Sequence, residues 1–275
     1  MSGQERNANR QGVRARGDDR AVRPRRAGGA AQRQAGGAAQ REAGRLPGDP
    51  GRRDAWAARL LAVAAVLYNG WLLEFVLPTG LDPRHSYVSE LYAADQPLRG
   101  LFGGIECVCA ALVVLGALLA YGPAAGRWSR AGWAALAGLG LSSLADVALP
   151  MRCAPSLEPG CEAVHPWHTA TSALAHFFLF ASMALLSRAA VTERPHRQLI
   201  RRWGPRVLAL ALPAAVCTVG PLFGRPGWHG VPQRIHLVLV GVWFALLAAE
   251  SLRSAARART SAAPPAEIRA AAPTS

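Results

Sequence analysis

From Ala55 onward the chain alternates long apolar stretches with short polar connections. The apolar stretches recur near the length an α-helix needs to cross a bilayer, about 20 residues. Six are predicted: Ala55–Leu77, Leu101–Tyr121, Trp133–Leu149, Trp167–Ser187, Val207–Phe223 and Ile235–Leu252. Trp128, Trp133, Trp167, Trp203 and Trp228 fall at or beside their ends, where an indole matches the headgroup layer. The fifth stretch carries Pro213 in its interior and is the least regular. The pattern predicts an all-α fold, a polytopic integral membrane bundle of six transmembrane helices over residues 55–255.

Residues 1–54 are of another kind: Arg, Ala, Gly and Gln with hardly a large apolar side chain. Such a stretch buries too little surface to offset chain entropy, so a disordered tail is expected there, and a second one over residues 256–275. The first apolar run starts too late for a cleaved signal peptide to be expected.

Composition agrees with the membrane reading. Of 275 residues, 51% are hydrophobic and 17% charged, whereas a soluble domain carries about a quarter charged residues. A wholly disordered chain, a disulfide-dense miniprotein and a coiled coil are excluded; five cysteines are too few for the second. All 31 basic residues are arginines, and the net charge is +14.

Such a charge raises nucleic acid as a partner, and its position removes that expectation. Summed over alternate sides of the six spans, one side, with both termini, carries +17 and the other −3, recovering +14. Arginine excess marks the cytoplasmic side, so both termini are expected in the cytoplasm of a multi-pass plasma membrane protein. Anionic lipid headgroups are then a sufficient partner for the basic face, and no nucleic acid is expected.

Ionisable residues inside or beside spans are costly and mark candidate sites. Glu74 ends span one and Glu106 opens span two; Asp146 ends span three, His165, His168 and His176 open span four, and His236 opens span six. All lie towards the outer face. Glu250, at the inner end near Arg253, is expected to be solvated or salt-bridged. His165, His168, Ser172 and His176 are spaced to share one helix stripe, as are Ser142 and Asp146 on span three. Two such stripes in adjacent spans should meet inside the bundle.

Two chemistries fit this set. A hydrogen-bonded network lining an outer, water-filled vestibule needs no cofactor, and none is the first expectation. The alternative is zinc held by Asp146, His168 and His236, activating a water for hydrolysis with Glu106 or Glu90 as base. No His-Glu-x-x-His signature accompanies it.

Cys153 and Cys161 lie in a Pro- and Gly-bearing connection on the oxidising side, and a disulfide is expected. Cys107, Cys109 and Cys217 fall in spans and read as small packing residues. Ser86 to Tyr92 should form a short helix on the outer interface, capped by Ser86 or Ser89. No Gly-x-Ser-x-Gly elbow supports a serine nucleophile there.

The run Tyr68-Asn69-Gly70-Trp71-Leu72-Leu73, the run Ser86-Tyr87-Val88-Ser89-Glu90-Leu91, and Asp146 followed by Leu149-Pro150-Met151, the Cys153 to Cys161 loop and His168 form a familiar set. They resemble the bacterial membrane family catalogued as domain of unknown function 998. The resemblance covers roughly residues 55–255 and implies a multi-span membrane protein without an established activity. Glu106 departs from it, since an aspartate is more usual there. In residue types alone the chain is also similar to alkaline ceramidases and adiponectin-type receptors, membrane hydrolases with Ser, Asp and His gathered around zinc. It lacks their seventh span and their paired terminal histidines.

The candidate cavity residues are therefore Glu74, Ser89, Glu90, Glu106, Asp146, His168, Ser172, His176 and His236, roofed by the first loop and the disulfide loop. Three functions compete: a protein whose outward-facing polar cavity binds a lipid or partner, a metal-dependent hydrolase of a lipid or amphiphile, and an ion- or proton-coupled carrier. Carriers place their coupling residues near the bilayer midplane, which puts that class last.

Overall fold

The computed structural model describes residues 50–122, 125–162, 164–225 and 227–261. Residues 1–49 and 262–275 of the expected tails lie outside the described residues, whereas 50–54 and 256–261, expected to be disordered, are helical as extensions of the first and last spans. Six long α-helices dominate: α1 (Pro50–Leu67), α2 (Arg99–Ala120), α3 (Arg127–Ala148), α4 (Pro166–Thr192), α5 (Gln198–Val216) and α6 (Gly230–Ser261). Short 3-10 turns cover Gly70–Phe75, Val88–Tyr92 and Gly220–Phe223, and no strand occurs among the described residues. Among the described residues six spans are long and apolar enough to cross a membrane, from Gly51–Phe75 to Gly230–Ser261, as the hydrophobic pattern predicts.

Their ends differ from the apolar stretches in a consistent direction. α3 starts at Arg127 rather than Trp133, α5 at Gln198 rather than Val207, and α6 runs on to Ser261. Hydropathy marks what sits in hydrocarbon, whereas a helix continues through the headgroup layer on arginine-bearing turns whose stems cover apolar surface. Pro205 and Pro213 both lie within α5 without ending it. α5 stops at Val216, and its span is completed by the Gly220–Phe223 turn.

Each helix packs against its sequence neighbours, and α1 also packs against α6, so the six close into a ring. Small residues let the backbones approach. At Gly140 of α3, an added Cβ would lie 2.7 Å from the Ala110 carbonyl oxygen of α2. The ring is filled along most of its length by Leu61, Val113, Trp133, Leu136, Met183, Trp243, Phe244 and Leu247. Its outside is apolar: Val66, Phe177, Leu210 and Phe223 are 62–76% exposed, the pattern of a lipid-facing surface.

Two carboxylates cap helix starts. Glu193, just past α4, accepts hydrogen bonds from the backbone N–H groups of Trp128 and Ser129 at 3.0 Å, which opens α3. Glu250 of α6 accepts from Leu199 N at 2.9 Å at the start of α5 and from Arg257 at 3.3 Å. Glu250 is fully buried, so it is no solvated terminus, and its arginine is Arg257 rather than Arg253.

Alternation places the connections α1–α2, α3–α4 and α5–α6 at one end, called here the loop end. Contacts tie them together: Ala94 N donates to Met151 O at 2.8 Å, Tyr87 Oη to Thr218 O at 2.8 Å, and Gly230 N to Arg84 O at 3.1 Å. A second apolar cluster of Trp71, Leu81, Leu91, Phe102 and Ala154 underlies them.

Candidate functional site

Span one is discontinuous at the loop end. α1 stops at Leu67, Asn69 turns its amide back onto Ala65 O at 3.0 Å, and the chain resumes as the Gly70–Phe75 turn. The interruption carries Tyr68 and Trp71 to the inner side of the ring. Beneath the Val88–Tyr92 turn, a cavity of about 120 Å³ opens between the helix ends. Its wall is mixed: Tyr68, Trp71, Tyr92 and Phe102 supply rings, while Glu106, Ser143, Asp146, Ser172, His176 and Gln233 supply polar groups.

Asp146 is the most heavily engaged carboxylate. Ser172 Oγ donates to its Oδ1 at 2.8 Å, Thr171 Oγ1 at 2.6 Å, and Tyr92 Oη donates to its Oδ2 at 3.0 Å. His168 Nδ1 lies 3.3 Å from Oδ1 and 3.3 Å from Leu149 O. Both neighbours are acceptors, so Nδ1 carries the proton. The facing stripes read from sequence on spans three and four do meet, through His168 and Ser172. Thr171 and Tyr92 complete the set, and the sequence reading passed over both; adjacency to Ser172 was the signal for the first.

Glu106 is differently placed. Ser143 and Asp146 are its polar neighbours. Among the described residues no arginine or histidine pairs with it. Trp71, on the same wall, is 7% exposed and its Nε1 has no acceptor.

Four candidate residues do not line this cavity. Glu74 is buried in a bidentate pair with Arg234, whose Nε and Nη2 donate to Oε1 and Oε2 at 2.7 and 2.6 Å. The same guanidinium donates to Ser86 O at 3.0 Å and Gly230 O at 3.1 Å, so it joins span one, the first loop and α6. Arg234 counted in the sequence only as outer charge, and its partner is 160 positions away, beyond any local pattern. Glu90 accepts from Tyr87 N at 2.7 Å, Ser156 N at 2.9 Å and Ser156 Oγ at 2.6 Å. It therefore caps the Val88–Tyr92 turn, the role expected of Ser86 or Ser89, and clamps that turn to the disulfide loop. Ser86 Oγ donates to Asp82 O and Ser89 Oγ reaches only Met151 Sδ, at 2.8 and 3.5 Å. The turn is not laid on the interface either, since Glu90 and Leu91 are buried.

His168 sits behind Asp146 as its partner. His236 stacks on His176 with ring centroids 5.1 Å apart, and its Nδ1 donates to Ala211 O at 3.0 Å. His176 Nδ1 donates to Ser172 O at 2.7 Å. The structure thus gathers Ser89, Glu106, Asp146, Ser172 and His176 around the cavity.

The ligands of the alternative zinc reading, Asp146, His168 and His236, do not bring three ligand atoms within 4.8 Å of one another. Among the described residues one set of three ligand atoms lies within 4.8 Å of one another, that of Cys153, Cys161 and His165. The two sulfurs there are joined in a disulfide, as the sequence predicts, and so offer no thiolates. Burial lowers the His165 pKa below its ordinary value, with His168 and Arg152 adding to the shift.

The family described as Protein of unknown function (DUF998) matches the chain over residues 61–250. No curated protein and no solved structure matches it.

Proposed function

The chain belongs to that family of unknown function, and we propose that it is a non-catalytic plasma membrane protein whose cavity binds a cationic headgroup or amine. The carrying observation is Glu106, a carboxylate facing the cavity with no cation of the protein paired to it. A carboxylate withdrawn from water is stable when a proton or a positive group meets it. Asp146 is already served by four donors; Glu106 is left for the ligand.

The walls favour the same ligand class. Tyr68, Tyr92 and Phe102 line the cavity beside Trp71, whose ring has the Arg234 guanidinium 5.8 Å from its centre; an aromatic wall attracts an ammonium by about 0.5–2 kcal/mol per desolvated contact. The net −3 of the loop end and the disulfide there support an outward-facing opening. An amphiphile with an ammonium headgroup and an acyl tail between helices is the ligand that fits both environments.

The zinc hydrolase has less support, because His236 is committed to His176 and Ala211 rather than to Asp146 and His168. Thermal unfolding of the purified protein in neutral micelles tests the proposal. Ethanolamine or tetramethylammonium chloride should raise the midpoint relative to equal sodium chloride, and Glu106→Gln should abolish the rise. No rise in the wild type, or the same rise in Glu106→Gln, rejects it.

A further inference from the structure

The opposite end of the bundle, where Pro50 and Ser261 lie, holds a guanidinium that the protein itself does not satisfy. Arg197, in the turn between α4 and α5, is 6% exposed, and its Nε has no hydrogen-bond partner. Among the described residues its guanidinium forms no ion pair and no hydrogen bond; it lies 5.8 Å from the centre of the Trp133 ring. Burial, then Arg194, holds its pKa below the ordinary arginine value, while Asp54 and Glu250 partly offset them. A buried cation left in this state is costly unless an anion completes it.

Other groups at this end point the same way. Trp133 Nε1, Ser187 Oγ and Ser251 Oγ are also buried without partners. Two cations, Arg194 and Arg257, and two acids, Asp54 and Glu250, act on Arg197; Glu250 already serves Leu199 N and Arg257, and Asp54 makes no ion pair with Arg197 among the described residues. The depth is that of lipid headgroups. Arg59 stacks over Trp56, Arg127 and Arg188 over Trp128, and Arg202 and Arg206 over Trp203, an aromatic and basic belt around the same end.

We propose that Arg197 anchors a site for one phosphate group, flanked by Arg194 and Arg257. A guanidinium presents its donors in a fork that matches two phosphate oxygens, which an ammonium does not. The phosphate is either the diester of an anionic lipid or a free inorganic anion. The site stands apart from the loop-end cavity and does not depend on the ligand proposed there.

Native mass spectrometry of the full chain, released from vesicles of phosphatidylcholine with or without phosphatidylglycerol, reads the site directly. One phosphatidylglycerol should remain per chain in the wild type and in Arg130→Gln, which removes an exposed charge. Arg197→Gln should lose it, with apparent affinity down about tenfold or more, and Arg197→Lys should retain it only in part. Inorganic phosphate, added to the protein in neutral micelles, separates the sources. A rise in thermal midpoint as large as that with phosphatidylglycerol assigns a free anion, and a rise with the lipid alone assigns the diester. The proposal is overturned if the wild type takes up neither, or if Arg197→Gln and Arg130→Gln weaken retention equally. The wild-type measurement decides even if Arg197→Gln fails to fold.

Discussion

Replacing Arg234 with Met would test whether the loop end is held by one buried ion pair. Arg234 and Glu74 are 7% and 6% exposed and share two hydrogen bonds of 2.7 and 2.6 Å. Removing either partner of such a pair leaves an uncompensated buried charge, a loss of about 3–5 kcal/mol. The two losses should be unequal. Glu74→Met leaves the guanidinium with Ser86 O and Gly230 O, at 3.0 and 3.1 Å, whereas Arg234→Met strands Glu74 and both carbonyls together. Arg234→Met should therefore sit at the upper end of that range and Glu74→Met at the lower. The double variant Glu74→Met/Arg234→Met, with no stranded charge, should cost at least about 2 kcal/mol less than the sum of the singles. Reversible unfolding in mixed micelles on addition of dodecyl sulfate, followed by tryptophan fluorescence, gives all three values. Additivity within about 0.5 kcal/mol would show the pair to be two independent contacts and refute the reasoning.

Three further outcomes are expected. Glu90→Gln weakens the hydrogen bond from Tyr87 N that caps the Val88–Tyr92 turn and the two that join the turn to Ser156, and should cost about 1.5–3 kcal/mol, with faster amide exchange at Tyr87 and Ser156 while the α5–α6 core is unchanged. Cys153→Ser/Cys161→Ser opens a loop whose bridged residues are 8 apart, and should lower stability by roughly 2–3 kcal/mol on the chain-entropy estimate, read from the same unfolding curves. His229 is held below its ordinary pKa by burial, with His85 and Arg234 adding to the shift. Its folded form resists a proton that the unfolded chain accepts near pH 6.5, so its contribution is whole above that pH and shrinks as pH falls below it. The thermal midpoint should drop between about pH 7 and pH 5, and His229→Gln should flatten part of the drop; a flat wild-type profile contradicts it.

The spans were legible because hydropathy over about 20 residues is a local property, and the disulfide because Cys153 and Cys161 share one short loop. Ser172 and His168 reaching Asp146 was legible too, since helix periodicity fixes which residues share a stripe. What the pattern could not carry was partner choice between distant elements. Glu74 reads as a cavity acid until Arg234 is found on α6, and Glu90 reads likewise until Ser156 N and Oγ are found on the disulfide loop. Charge at one depth says that groups meet; only packing says which ones neutralise each other and which, like Glu106, are left over. The unpaired Arg197 was hidden for the complementary reason, because an arginine in a basic turn looks like any other until its burial is known.

The ring closes through the seam between α1 and α6, the first and last of the six described helices in chain order. Every other neighbour relation forms as the chain lengthens, each helix laid against the one before it, so assembly up to α5 needs no long-range search. The closing step waits for α6, which brings Arg234 to Glu74 and Gln233 to Val88 N. A nascent chain stopped before Gly230 is thus an open arc whose cavity has a missing wall and whose Glu74 is bare.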